Sequence, residues 1–295
     1  MDNLVDAEVV LADGRRVVAG EDGDTDLLWA LRGGGGTFGV VTAARYRLHP
    51  LPRVLAGLIL YPARQATTIL SRYQQVVASG PDELTVMAGF MHGPDGALLL
   101  FLFPCWSGDL TAGEPIVGQL SRLGDPVATQ VAAMPYEEAL SLFDPVVVNG
   151  RHYAMRTRWV SALTDDTIAI LSDAARRVTS PFSALAVHHF HGAASRVPAD
   201  ATAFAHRRDH FLVELMAAWE PVGDGDDTQH REWGDSVSER LDAHALPGGY
   251  PNLLGPDDAE RVADAYDLNA PRLRELKGRY DPDGMFSMAI GTIGS

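Results

Sequence analysis

The sequence predicts an α+β protein in which one antiparallel β-sheet is covered by helices on a single face. Three observations carry that reading. Seven apolar segments of strand length recur from residue 51 onward: VLAGLILYP, ELTVMAGFMH, ALLLFLFPCW, VATQVAAMP, HYAMRTRWV, SALAVHHFHG and HFLVELMAAW. Amphipathic helical stretches stand between some of them. Other neighbours lie close enough in the chain to be joined by hairpins, the connection an antiparallel sheet uses.

The first fifty residues read differently. AEVVLADGRRVVA, residues 7–19, is a hairpin pattern, with two β-branched runs around Asp13-Gly14, a pair suited to a turn with φ > 0. TDLLWALR, 25–32, is a short helix with Leu27, Leu28 and Leu31 on one face and Asp24 or Thr25 as its cap. Four glycines follow, then the strand GVVTAARYRLHP. Further on, a helix over 64–78 carries Ile69, Leu70, Tyr73, Val76 and Val77 at i, i+3, i+4, i+7 spacing. Thr164 is placed to cap a helix over 164–178, where Ile168, Leu171 and Val178 form the apolar stripe. PVGDGDDTQH, 221–230, reads as a surface loop, and a helix near 229–245 follows with Trp233, Val237 and Leu241. After the turn-rich GGYPNLLGPDD, Pro256 suits the first turn of a helix over 257–267, and a last helix covers 271–279.

With 295 residues and 46% hydrophobic content, the chain can bury a sizeable core in one or two domains. No apolar run reaches the length of about 18 residues that a membrane helix needs. The N-terminal MDNLVDAEVVLADG lacks the basic start and apolar run of a secretory leader, so a cytoplasmic location is expected. The net charge of −15, from 24 basic and 39 acidic residues, repels nucleic acid and anionic lipid. Cys105 is the single cysteine, which excludes an internal disulfide and a cysteine-based zinc cluster. Its apolar setting, LFLFPCW, predicts a buried structural thiol.

The spacing Gly34-x-Gly36-x-x-Gly39 matches the dinucleotide fingerprint in form only. That motif needs a strand before it and a helix after it, so that a helix N-terminus faces the pyrophosphate. Here the helix precedes and the strand follows. A run of glycines still lets backbone approach a ligand closely, which a plain helix-to-strand connection does not require.

Read as a whole, DLLWALRGGGGTFGVVTAARYRLHP resembles a segment of the berberine-bridge-type FAD-linked oxidases, in which Trp, Arg and a glycine run precede Asn/Thr-Phe-Gly-Ile/Val-Val. ADATAFAHRRDHFLVELMAAW and GGYPNLLGPDDAERVADAYDLNAPRLRELKGRYDPDGMF resemble two later segments of that family, the second ending in its Leu-x-x-Leu-Lys helix and Tyr-Asp-Pro-x-x-x-Phe. The resemblance implies residues 1–50 as the C-terminal half of a vanillyl-alcohol-oxidase-type FAD domain, 51–245 as the substrate domain, and 246–295 as a segment returning to the FAD domain. It implies FAD as cofactor, with the flavin ring at the open face of the sheet. Gly35, Gly36, Thr37, Phe38, Gly39, Val40 and Val41 would line the flavin channel through their backbone, and Tyr250 and Asn252 match a Tyr-x-Asn beside the ring system. A surface-loop aromatic is the other reading of Tyr250.

In that family a pyrophosphate-binding loop with Arg, Gly-Gly and a flavin-bonding His comes earlier than any segment matched here, and so does a Cys-Gly. Cys105 lies inside the substrate domain and does not take the latter role. The expectation is a truncated C-terminal part, one whose missing half is a separate N-terminal flavin-domain chain, or a protein that has shed its flavin; a homo-oligomer is a further expected partner, since a truncated flavin domain would expose apolar surface. The tail, Phe286-Ser-Met-Ala-Ile-Gly-Thr-Ile-Gly, lacks the asparagines the family carries there.

On HFLVELMAAW, Glu214 shares a face with Met216 and Ala218 by the period-2 rule. A carboxylate in an apolar strand is a candidate general base, or else the partner of Arg156 or Arg158. Arg156 and Arg158 share a face of HYAMRTRWV and are candidates to receive an anionic substrate, or are arginines on a solvated face. His189 and His191 point one way from their strand and His188 the other; they read as pocket lining, acid/base groups or packed histidines, and no third metal ligand is evident. Two functions follow. One is an FAD-linked oxidation of a sugar, phenol or other small natural product, with Tyr250 or Glu214 taking a proton and hydride passing to the flavin. The other is a flavin-free cyclase, isomerase or binding protein that uses the same pocket.

Overall fold

The computed structural model describes residues 1–221, 227–255 and 258–287. In chain order, β1 (Leu4–Val10) and β2 (Arg16–Ala19) form the hairpin, with Gly14 at φ +81°, and α1 (Thr25–Leu31) precedes β3 (Val40–Tyr46). Then come β4 (Val54–Pro62), α2 (Ala66–Ala78), β5 (Leu84–His92), β6 (Leu98–Trp106), α3 (Leu110–Leu120), β7 (Ala128–Met134), α4 (Tyr136–Leu140) and β8 (His152–Val160). The rest is α5 (Asp165–Arg176), β9 (Ala184–Phe190), β10 (His210–Trp219), α6 (Thr228–Leu241), α7 (Ala259–Ala265) and α8 (Ala270–Tyr280). The α+β class is as the sequence predicts. Pro256, residues 222–226 of the loop over 221–230, and the tail 288–295 fall outside the described residues.

The chain divides into two compact units, one of 1–50, 193–208 and 247–295, the other of 51–192 and 209–246. The stretch 193–208 was expected within the substrate domain, and it packs in the first unit instead. Side chains explain this. Trp29 Nε1 donates to the Asp200 carbonyl at 2.8 Å, and Asn269 Nδ2 donates to the carbonyls of Ala199 (2.7 Å) and Thr202 (2.9 Å).

The first unit holds a three-stranded sheet in the order β2-β1-β3. Its core joins Leu4 and Val9 to Leu27, Trp29 and Phe38, and to Tyr266, Leu273 and Leu276 of the C-terminal helices. Asp24 caps α1, accepting from the Leu27 N–H at 2.9 Å and from the Tyr280 hydroxyl at 2.7 Å. β3 is exposed along its whole length and forms an edge, with Val40 54% and Val41 46% accessible.

The second unit holds the seven-stranded antiparallel sheet, in the order β7-β4-β6-β5-β9-β10-β8. Helices α2, α3, α5 and α6 cover one face. Between helices and sheet lie Ile59, Leu70, Tyr73, Leu102, Ile168, Leu171, Val213, Leu215 and Trp233, all buried. Burial of such side chains is worth about 1.5–3 kcal/mol each and fixes which sheet face turns inward. The sequence reading did not resolve α3: Pro115 and two glycines interrupt its pattern, and the helix is capped by Asp109, which accepts from the Ala112 N–H at 2.9 Å. Cys105 is half-buried rather than buried, and lies beside Val54, Ala56 and Ala139 away from the helix-covered face. Burial pushes its thiol pKa up, consistent with an unreactive side chain.

Candidate functional site

Within the first unit, the four glycines have separate reasons. Gly33 sits at φ +119°, and a methyl there would meet the Phe204 Cβ at 2.7 Å. Gly35 is at φ +80°, whereas a methyl on Gly36 would meet nothing within 4 Å. Gly33 is needed for packing, and so is Gly34, where a methyl would meet the Ala30 carbonyl at 2.5 Å; Gly35 is needed for its backbone turn, and Gly36 lies beside open space. Thr37 follows, 1% exposed, with a buried hydroxyl that has no partner among the described residues.

The C-terminal helix holds this loop from behind. Lys277 Nζ donates to the Thr37 carbonyl at 2.8 Å, to the Phe286 carbonyl at 2.6 Å and to the Asp281 carboxylate. Asp281, whose side chain is fully buried, also accepts from the backbone N–H groups of Met285 and Phe286, both at 2.8 Å. Burial alone would raise its pKa; the bonds from Lys277, Phe286 and Met285 outweigh that and hold it below the ordinary carboxylate value. Nearby, Asn252 Nδ2 donates to the Tyr250 hydroxyl at 3.1 Å, which leaves the phenolic hydrogen free to donate elsewhere. Arg261 orders the preceding turn by donating to the Gly248 carbonyl at 2.8 Å.

Within the second unit, strand register defines the face that α2, α3, α5 and α6 leave uncovered. Leu60 pairs with Phe101, Phe101 with Gly89, Gly89 with Ala186, Ala186 with Glu214, and Glu214 with Thr157. Directly opposed residues share a face, so these six form one transverse row. Glu214 is the carboxylate of that row. His188 Nε2 lies 3.1 Å from its Oε2 atom. Thr157, on the other neighbouring strand, is 1% exposed with a hydroxyl that has no partner among the described residues. Phe143 packs over the row's aromatic end, 5.8 Å from Phe101 and 5.2 Å from Phe103 between ring centroids.

The family described as "Berberine and berberine like" matches residues 249–291. An FAD-linked oxidoreductase, aurO, of Gibberella zeae is 30% identical over 307 residues, covering 99% of this chain and 58% of its own length. One from Dictyostelium discoideum is 27% identical, covering 97% of this chain and 62% of its own length. Berberine bridge enzyme from Eschscholzia californica superposes with a TM-score of 0.83 at 20% identity, over 98% of this chain and 65% of that one. For 6-hydroxy-D-nicotine oxidase from Arthrobacter nicotinovorans the TM-score is 0.82 at 23% identity, over 97% and 65%. The chain is similar over almost its whole length to FAD-linked oxidoreductases, shares the fold of berberine bridge enzyme, and carries the berberine-like segment near its C-terminus. It spans about three-fifths of the length of the curated relatives it matches.

Several expected site residues take other positions. Arg156 and Arg158 are not on the face of Glu214. They register with Leu215 and Val213, on the helix-covered side, where their Nε atoms bond Asp235 and Asp242, each at 2.6 Å. Those acids come from α6 and the turn after it, so the pair of arginines ties helix to sheet. His189 also turns to the helices. It registers with Phe211 and stacks on that ring at 4.7 Å, and His191 stacks on His189 at 4.4 Å. Burial, then the neighbouring His191, push the His189 pKa down to about 4. The histidine beside Glu214 is therefore His188, which the sequence had placed opposite to His189 and His191 without assigning it a role. Thr157 was likewise not singled out; Lys277 and Asp281 stand in the Leu-x-x-Leu-Lys and Tyr-Asp-Pro motifs quoted above but carried no role there, and their i, i+4 spacing near a helix end is what points to an ion pair.

The glycine loop fits the part of FAD that needs close backbone approach. Gly36 leaves open space, and Thr37 offers an unpartnered hydroxyl. Lys277 is saturated by two carbonyls and Asp281, so it brings little free positive charge to a pyrophosphate.

Proposed function

We propose that this chain forms the substrate-binding part and one wall of the cofactor site of an FAD-linked oxidoreductase acting on a small organic molecule. One observation carries the reading: Glu214 stands as a carboxylate hydrogen-bonded to His188 on a largely apolar sheet face, in a chain related over its length to proteins named FAD-linked oxidoreductases. Gly35, Gly36, Thr37, Phe38, Gly39, Val40 and Val41 would hold FAD through their backbone, with Tyr250 and Asn252 beside its ring system. FAD, if bound there, would supply a two-electron acceptor for a hydride from a substrate carbon, with dioxygen as the final oxidant. Glu214 takes the proton that the adjoining substrate O–H or N–H loses as the hydride departs, and His188 fixes the orientation of its Oε2 atom. The exposed apolar edge strand β3 supports the view that further polypeptide completes the cofactor site.

The test is direct. The protein is purified, loaded with FAD, and mixed anaerobically with a panel of phenols, hydroxylated polycyclic aromatics and disaccharides while flavin absorbance is followed. Bleaching by at least one class is expected, slowed 10²–10⁴-fold in Glu214→Gln, the range of a general base. Tyr250→Phe separates the two candidate bases. A protein that gains no flavin spectrum with FAD alone or with the N-terminal half of a relative added would overturn the redox reading.

A further inference from the structure

A cleft of about 490 Å³ opens within the second unit at one end of the sheet. That is the size of a small-molecule pocket. Its walls are apolar: Leu58, Leu60, Met91, Leu99, Val146 and Phe182. Arg151 is the one lining residue with a full charge, and no carboxylate pairs with it among the described residues. His92 is the one other lining residue with a polar side chain; its Nδ1 atom is shielded from solvent and has no partner among the described residues.

Arg151 is held in place before any ligand arrives. Its guanidinium lies 3.7 Å over the centroid of the Phe182 ring, and Nη1 donates to the Val146 carbonyl at 3.1 Å. Gly150, at φ +93°, makes the turn that delivers it. The loop behind it is pinned by Tyr153, whose hydroxyl donates to the Val148 carbonyl at 2.7 Å and accepts from the Val148 N–H at 3.1 Å. An arginine stacked on a ring keeps most of its N–H edge for a carboxylate or phenolate, which it binds as a planar fork.

The cleft and Glu214 lie on one sheet face. Leu60 belongs to the same row as Glu214, four strand spacings away, or roughly 19 Å at about 4.8 Å per strand. Met91, on β5, is nearer, two strand spacings or about 10 Å to the side. A molecule that touches both ends therefore spans roughly 10–19 Å, more than one ring. The path between them passes Phe101, Phe103 and Phe143, and Gly89, where a methyl would come 2.7 Å from the Phe101 ring.

We propose that this cleft takes the far end of the substrate, and that Arg151 selects a multi-ring aromatic anion, a carboxylate or phenolate, over a carbohydrate. The inference rests on the sheet face being the substrate site. A sugar would bring several hydroxyls to walls that offer few partners, and each hydroxyl buried without one weakens binding. A flat aromatic acid brings apolar area to those walls and one charge to Arg151.

Naphthalene-2-carboxylate, its neutral analogue naphthalene-2-carboxamide, and cellobiose serve as probes, titrated calorimetrically into the full chain without FAD. The carboxylate is expected to bind at least tenfold tighter than the carboxamide, and cellobiose to show no saturable binding. Arg151→Gln brings the two naphthalenes within twofold of each other. Arg151→Lys, which keeps the charge and guards against misfolding as the cause, retains a threefold or greater preference. Leu99→Trp fills the cleft and weakens both naphthalenes at least tenfold. Equal affinity of the two naphthalenes for the wild type, a preference surviving Arg151→Gln, no effect of Leu99→Trp, or cellobiose binding as tightly as the carboxylate would each overturn the proposal. None of these readings needs flavin or turnover. Loss of the redox activity with intact binding thus removes the proposed function alone, and loss of binding with intact flavin reduction removes this inference alone.

Discussion

Asp281→Asn tests the idea that a buried ion pair, rather than the glycines themselves, fixes the loop over residues 34–39. Asp281 is fully buried and accepts from Lys277 and from two backbone N–H groups; Lys277 is 12% exposed and also holds the Thr37 carbonyl. Removing one charge of such a pair costs 3–5 kcal/mol in general, because the other is left uncompensated. Lys277 keeps two carbonyl acceptors here, which places the cost at the lower end, about 3 kcal/mol. At about 1.4 kcal/mol per decade, amides over 33–39 and 270–287 should exchange with solvent roughly a hundredfold faster. Hydrogen-exchange mass spectrometry resolves those peptides from the second unit, which contains four of the five tryptophans and would dominate fluorescence. The pH dependence has a defined sign. The folded pKa of Asp281 lies below its ordinary 3.8, so its contribution is fully present above that value and is lost as pH falls through the folded one. The difference between wild type and Asp281→Asn should shrink in the same window. Lys277→Met combined with Asp281→Leu removes both charges and should recover most of the loss. A change under threefold in Asp281→Asn refutes the clamp.

Two further outcomes follow from residues that turn toward the helices. His189 has its pKa pushed down to about 4 by burial and by His191, against an ordinary value of 6.5. Its neutral form supports the fold, so stability is full above about pH 6.5 and falls as pH drops toward about 4; His189→Phe should flatten that part of a melting-temperature profile, and an unchanged slope would refute the assignment. Arg158→Met should cost about 1 kcal/mol or less in urea unfolding, since Asp242 is 56% exposed, and should leave binding of naphthalene-2-carboxylate unchanged. Weakened binding would return Arg158 to the substrate site.

The seven strands are legible in the sequence because apolar runs of strand length stand between turn residues and glycines. The period-2 rule correctly groups Arg156 with Arg158 and separates His188 from His189 and His191. It cannot say which face of a strand the helices will cover. That depends on pairing: Leu215 opposite Arg156 and Val213 opposite Arg158 send both arginines inward, and Leu212 opposite His188 sets that ring beside Glu214. The stretch 193–208 misled for a related reason. It lies between two strands of the large sheet, yet Trp29 and Asn269, distant in sequence, hold its backbone in the other unit. Arg151 gave no pattern at all, because its role comes from a loop and from the ring of Phe182.

Charge leads to a final consequence. The chain carries −15, so an anionic ligand meets long-range repulsion before it reaches Arg151. Salt screens that repulsion over a Debye length of about 10 Å at 0.1 M, whereas the contact inside an apolar cleft is screened far less. Association of naphthalene-2-carboxylate should therefore speed up between 20 mM and 200 mM salt, on the order of severalfold, while dissociation changes little. The carboxamide should show neither effect. Stopped-flow fluorescence reads both rates, and its outcome separates two pictures of the cleft. If association slows with salt, the potential at its mouth is positive, and the local field of Arg151 outweighs the whole-protein charge. If dissociation instead rises with salt, the guanidinium is open to solvent, and the apolar walls rather than the charge would have to account for any preference between the two naphthalenes.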